Sequence, residues 1–160
     1  MVAPRAKESV WDYPRPPRLE RTDARLRVEH AGRVVAESTR SWRVLETSQP
    51  PVYYFQPADV DLALLSPAEG QTYCEWKGSA SYWDLAVPGS PIVTRAAWSY
   101  PSPTPSFEPI RDHLGFYAQR LDACWVDDEQ AQPNGGSFYG GWITSWVVGP
   151  FKGGPGTQGW

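Results

Sequence analysis

An excess of basic side chains is missing from this sequence: 15 Lys and Arg stand against 18 Asp and Glu, leaving a net charge of −3 at pH 7. Nucleic-acid binding draws on many cationic contacts to phosphates, so no nucleic-acid partner is expected. Cysteine and histidine are equally scarce, with Cys74, Cys124, His30 and His113 as the full set. Structural zinc needs four ligands, usually in closely spaced pairs, and these four residues do not supply that pattern. Neither a metal nor a cofactor is predicted. Two lone cysteines suit reduced thiols in a core better than a disulfide framework. No apolar run approaches the length of a membrane span, and Met1 to Ser9, which carries Arg5, Lys7 and Glu8, has no apolar stretch of signal-peptide length. No membrane partner and a cytoplasmic location are therefore expected. The motifs of common enzymes are absent too: there is no nucleophile elbow and no Gly-x-Gly-x-x-Gly, and in the tail Lys152 lies on the wrong side of its glycines for a phosphate loop.

What remains is a chain of 160 residues, the size of one domain, with 41% hydrophobic and 14% aromatic residues, nine of them Trp. A chain of this length buries roughly two-thirds of its unfolded surface, enough for a core without staples. The 17 Pro and 14 Gly argue against long helices, and the expected fold is mainly β with one or two short helices. We divide the domain into an extended arm (1–19), a β core (20–128) and a Gly- and aromatic-rich C-terminal segment (129–160). Charge is uneven: residues 1–43 hold ten basic and six acidic groups, and residues 44–160 hold five and twelve. The basic half is either a solvated strand face or a surface for an acidic partner or a second copy of the chain.

Prolines force Val10 to Pro17 into an extended arm, and Trp11 and Tyr13 suit packing on its own domain. Leu26, Val28, Val34 and Ala36 share one face if His30-Ala31-Gly32 forms a three-residue loop with Gly32 at positive φ. Alternation over Ser41 to Thr47 groups Trp42, Val44 and Glu46 against Arg43, Leu45 and Thr47. Val52 to Phe55, Ile92 to Tyr100 and Leu121 to Val126 read as strands, with Asp127-Asp128-Glu129 as a turn. Pro57 to Leu65 and Pro109 to Phe116 are the short helix candidates. Gly78-Ser79 reads as a two-residue hairpin turn, which would set Cys74 opposite Trp83 in an apolar face and make its thiol slow to react. In the tail, Phe151 and Trp160 call for docking on the body or on a second subunit, since free aromatics would stand in water.

Three polar residues sit among aromatics: Glu46, Tyr54 and Lys77. They are read either as a polar pocket or, for Glu46 and Lys77, as an ion pair. In a pocket, Trp76, Trp83, Trp98 and Tyr100 would enclose a flat or cationic ligand by stacking and cation-π attraction. The binding set is thus Glu46, Tyr54, Trp76, Lys77, Trp83, Trp98 and Tyr100, with Glu46 and Lys77 as the candidate acid and base of an enzyme. Asp59-Val60-Asp61 has the spacing of a two-carboxylate metal site, but after Pro57 it reads as helix N-terminal acids.

Several strings resemble, in order, the bacterial domain-of-unknown-function family 427: Val10 to Pro17, Val44-Leu45-Glu46-Thr47 with Tyr53-Tyr54-Phe55, Tyr73 to Gly78, Ala97 to Pro101, and Phe138-Tyr139-Gly140-Gly141-Trp142. The resemblance spans nearly the whole chain. It implies a β-tent fold like that of Mss4-like proteins and the thalidomide-binding domain of cereblon, two antiparallel sheets meeting at an angle, and a pocket lined by Trp and Tyr. It also brings a nucleotidyltransferase label, although the Gly-Ser pair and paired aspartates of such enzymes, and the paired zinc cysteines of many β-tent relatives, are not in this chain. The function implied is binding of an unidentified small molecule. The alternatives are an enzyme using Glu46 and Lys77, or a protein-interaction domain, with a homodimer possible in any case.

Overall fold

The computed structural model describes residues 5–136 and 138–160; residues 1–4 of the arm, and Ser137, lie outside it. Its strands are β1 (Glu8–Ser9), β2 (Arg18–Thr22), β3 (Leu26–His30), β4 (Arg33–Ser38), β5 (Ser41–Leu45), β6 (Val52–Tyr54), β7 (Leu65–Cys74) and β8 (Gly78–Leu85). There follow β9 (Val93–Ser99), β10 (Leu114–Phe116), β11 (Ala123–Val126), β12 (Glu129–Gln130), β13 (Gln132–Pro133), β14 (Trp142–Ile143) and β15 (Val147–Val148). The chain is mainly β, as expected. Antiparallel sheets run β10-β9-β8-β7, β12-β11-β3-β4 and β2-β5-β6, with β13-β14 as a separate pair.

The three-stranded and the first four-stranded sheet meet where Phe55, just past β6, exchanges backbone hydrogen bonds with Leu114 at the start of β10, 2.9 and 2.8 Å long. Side-chain alternation then gives the joined surface two buried faces. Tyr53, Phe55, Ala97 and Phe116 enter one core, with Leu26, Val28, Cys124 and Val126 of the other four-stranded sheet. Tyr54, Tyr82, Trp98 and Tyr100 enter a second core, with Val44, Phe107, Ile110 and Tyr117.

Two turns differ from expectation, and each moves side chains. At β3-β4 the turn has two residues, Ala31 and Gly32, both at positive φ, and a bulge lies between Val28 and Glu29. The extra residue of such a bulge breaks alternation, so Val35 and Ala36 are both buried while Val34 is exposed. At β7-β8 the reversal is Glu75-Trp76-Lys77, and Cys74 pairs with Gly78, not with Trp83. Thr104 explains this choice: its hydroxyl donates to the Trp76 carbonyl and its backbone N–H to that of Lys77. Gly78, at φ +110°, closes the turn, and a Cβ there would come within 3.2 Å of the Ser102 carbonyl.

The helix candidates are also corrected. Pro57–Asp59, Leu62–Leu64 and Pro105–Ile110 are 3-10 segments, and Leu114–Phe116 is a strand. Leu114 lies opposite Ser99 in the sheet, and with Pro109 just upstream, sheet pairing prevails over the local helix signal. In β9, Arg95 has φ +49°, which shifts the phase so that Ala96 and Ala97 are both buried and Ile92 is exposed.

The arm docks on its own chain. β1 pairs in parallel with β15, Val10 and Tyr13 are buried with Leu45 and Val147, and the Trp11 indole donates to the Pro150 carbonyl. The tail is held in cis by the same arm: Trp11 meets Trp160 edge-on at 5.4 Å, and Arg15 donates to the Trp160 carbonyl. Beneath them the buried Arg43 guanidinium, on the face of β5 opposite Val44, donates to both oxygens of Glu8 and to Glu20.

Burial alone would push the Glu8 carboxyl up, but hydrogen bonds from Arg43 and Tyr13 hold it below the usual carboxylate range. A carboxylate depressed in the folded state stabilises the fold fully above its unfolded value, about 4.3, and that contribution is lost as pH falls through the folded value. Arg43→Met is therefore expected to destabilise the protein by about 2–4 kcal/mol at pH 7. Urea melts should show the gap to wild type narrowing once pH drops below about 4.

Candidate functional site

The segment just past β5, β6, the β7-β8 hairpin and the end of β9 surround a cavity of about 520 Å³ beside the second core. Glu46, Tyr54, Trp76, Lys77, Trp98 and Tyr100 all line it. Trp83 does not. It sits directly opposite Ala97, on the other face of the sheet, where its indole donates to Ser99 at 2.9 Å and it borders a separate cavity with Leu65 and Leu114. The observed hairpin register places Tyr82 and Thr72 on the cavity side instead, with their hydroxyls 2.7 Å apart.

Trp98 is the fixed wall. Its indole donates to the Tyr54 hydroxyl at 3.2 Å, and its ring lies 4.6 Å from that of Tyr117. Gly115 and Gly140 touch the ring from the sides: a Cβ on Gly115 would lie 2.5 Å from it, and one on Gly140 would overlap it. Burial raises the Tyr54, Tyr100 and Tyr117 hydroxyls above the ordinary phenol value. These groups are therefore neutral phenols at pH 7, able to donate and accept hydrogen bonds without supplying a base.

Lys77 differs in kind. Burial works against its ammonium, but the negative charge that Tyr54, Cys74 and Glu46 carry when ionised outweighs that and raises its pKa above the ordinary lysine value. It is cationic at neutral pH, 5.9 Å from the Tyr100 ring centroid. Glu46 is engaged by the arm, with Arg15 Nε 3.3 Å from its carboxylate. Lys152 lies 5.5 Å from the Tyr139 ring centroid, and the tail backbone is anchored by the Lys152 N–H on the Ser48 carbonyl.

The binding set read from the sequence omits Thr72, Cys74, Tyr82, Tyr117, Tyr139, Gly140 and Lys152, all of which line the cavity. The first three follow from the hairpin register, which a reading of Gly78 as the close of a three-residue turn would have found. Tyr139 and Gly140 stand in the Phe138 to Trp142 string, but nothing local to that string says which wall it covers. Asp59 and Asp61 lie elsewhere and are ion-paired: Asp59 takes Arg40, Ser38 and Gln56, which hold it down to about 2, and Asp61 faces Arg33 at 3.3 Å. Among the described residues no cluster of three or more His, Cys, Asp or Glu is placed to hold a metal, and no helix is long and apolar enough to cross a membrane.

A family model described as Domain of unknown function (DUF427) matches residues 18–127, more than two-thirds of the 160 residues. The chain belongs to that family. Curated proteins provide no match. The DUF427 match takes in Glu46, Tyr54, Lys77 and Trp98 but stops short of Tyr139, Gly140 and Lys152, so one wall of the cavity comes from chain beyond the matched segment.

Cys74 borders this cavity and is only partly buried, whereas Cys124 is shut in the first core, where burial raises its thiol pKa. The slow reaction expected of Cys74 is thereby revised. In the native protein Cys74 should be the thiol labelled by a maleimide, with Cys124 reacting only after denaturation, which peptide mapping would read out. Gly140→Ala forces a methyl into the Trp98 ring and should cost about 1–3 kcal/mol, with a changed tryptophan emission spectrum.

Proposed function

We propose that this DUF427 protein is a small-molecule-binding module whose ligand carries a flat ring seated among Trp76, Trp98, Tyr54 and Tyr100. The observation that carries this reading is the convergence of those four aromatics with Lys77 and Glu46 on one cavity of about 520 Å³. A mostly aromatic pocket with a few fixed polar groups is how small-ligand sites are commonly built, and the volume is in their range. A β-tent arrangement, implied by the family resemblance, would suit a pocket beside a sheet, although that argument stands at the level of the fold. A cytoplasmic setting belongs to the same reading, supported by the two free cysteines.

The acid–base alternative needs Glu46 and Lys77 to exchange protons near neutrality. The raised Lys77 works against its use as a base, and Arg15 competes for Glu46. Paired aspartates give no support to nucleotidyl transfer, because Asp59 and Asp61 are neutralised by arginines away from the cavity. An interaction domain, with or without a homodimer, would draw on the basic N-terminal half, but there Arg43, Arg40 and Arg33 are bound to carboxylates of the same chain.

Protein purified under native conditions should carry a ring-containing compound detectable by mass spectrometry after denaturation. Trp76→Ala should reduce its retention about fivefold or more, since a stacked ring is worth about 1–3 kcal/mol, with an unchanged circular dichroism spectrum. Purified protein with no retained compound, and no tryptophan quenching by a library of flat heteroaromatics, would sink the reading.

A further inference from the structure

The charges around the cavity say more about its ligand than its shape does. A cavity walled by tyrosine and tryptophan would ordinarily invite a cation over the ring faces. Here two of those rings already face a cation: Lys77 stands against the Tyr100 ring and Lys152 against the Tyr139 ring. Both lysines line the cavity, one from the β7-β8 turn and one from the tail. Of the two acids that line it, Glu46 is paired with Arg15 and Glu75 is exposed at the turn. Among the described residues the Lys77 ammonium takes part in no ion pair, and the Cys74 thiol beside it is a weak acceptor. An ammonium has three donors, and a charged group partly withdrawn from water gains most from an ionised acceptor.

Resting on the small-molecule reading, we propose that the ligand is an aromatic acid: a flat ring bearing a carboxylate or another anionic group, with the anion on Lys77 and the ring against Trp98 and Tyr100. Lys152 supplies a second positive charge from chain beyond the family match, so it tunes acid preference in this protein. The cationic ligand that the aromatic composition suggests is disfavoured by both lysines. The neutral hydroxyls of Tyr54, Tyr100 and Tyr117 can donate to the same anion without repelling it.

Three probes with one ring and different charges test this: 2-naphthoate, 2-naphthamide and 2-naphthylmethylammonium, titrated into the full chain by calorimetry. The acid should bind at least tenfold tighter than the amide, and the ammonium should bind weakest. Lys77→Met should abolish the preference for acid over amide, with the loss falling at least tenfold more heavily on the acid than on the amide. Lys77→Arg, which retains the charge, should preserve the preference, and Lys152→Met should reduce it without removing it. Ammonium binding as tight as that of the acid would overturn the aromatic-acid assignment and leave the pocket standing. Failure of all three probes, with an intact fold by circular dichroism, would overturn the assignment together with the pocket.

Discussion

The two hydrogen bonds between Phe55 and Leu114 carry the architecture. They join a three-stranded and a four-stranded sheet into one surface, and they occur where the chain has three aromatic residues in succession. Because successive side chains on a strand point to opposite faces, Tyr53 and Phe55 go to one core and Tyr54 to the other. A sheet buried on both sides by large rings has little freedom to slip, since a shift of one residue would exchange the two cores. The cavity is the place where the second core is left incomplete.

Around that cavity the polar groups divide by charge state. The phenols are enclosed enough to stay neutral, the Lys77 ammonium stays charged despite its burial, and Glu46 is drawn toward Arg15. The arm that supplies Arg15 also grips the tail that supplies Lys152. Trp11, Arg15 and Trp160 are thus remote from the binding wall in sequence terms, yet they hold one side of it. The Arg43 cluster with Glu8 and Glu20 ties the start of the arm to the body beneath the same β5 strand whose other face bears Val44.

Much of this was legible from local pattern. Alternation over Ser41 to Thr47 correctly set Trp42 and Val44 against Arg43 and Leu45, because β5 is a regular strand whose two faces differ in polarity. The strand through Trp98 was legible for its aromatic density, although a residue at positive φ, Arg95, moved its first half out of phase. The hairpin through Gly78 was seen but misregistered, and Trp83 entered the predicted site although it lies on the other face of the sheet.

By itself, then, the sequence determined the β class, the absence of long helices and the residue types that could form an aromatic, polar-lipped pocket, since proline, glycine and alternation act within a few residues. The tertiary structure alone decided the turn at Trp76 and Lys77, the bulge beside Val28, the strand at Leu114 and the wall from Tyr139 to Lys152. Each of these depends on a partner far along the chain: Thr104 for the turn carbonyls, Phe55 for Leu114, Trp98 for Gly140, Ser48 for Lys152. Hydrogen bonds and ring contacts between such distant positions leave no periodic trace in the sequence, because their spacing is set by how the sheets meet and not by the repeat of any one strand.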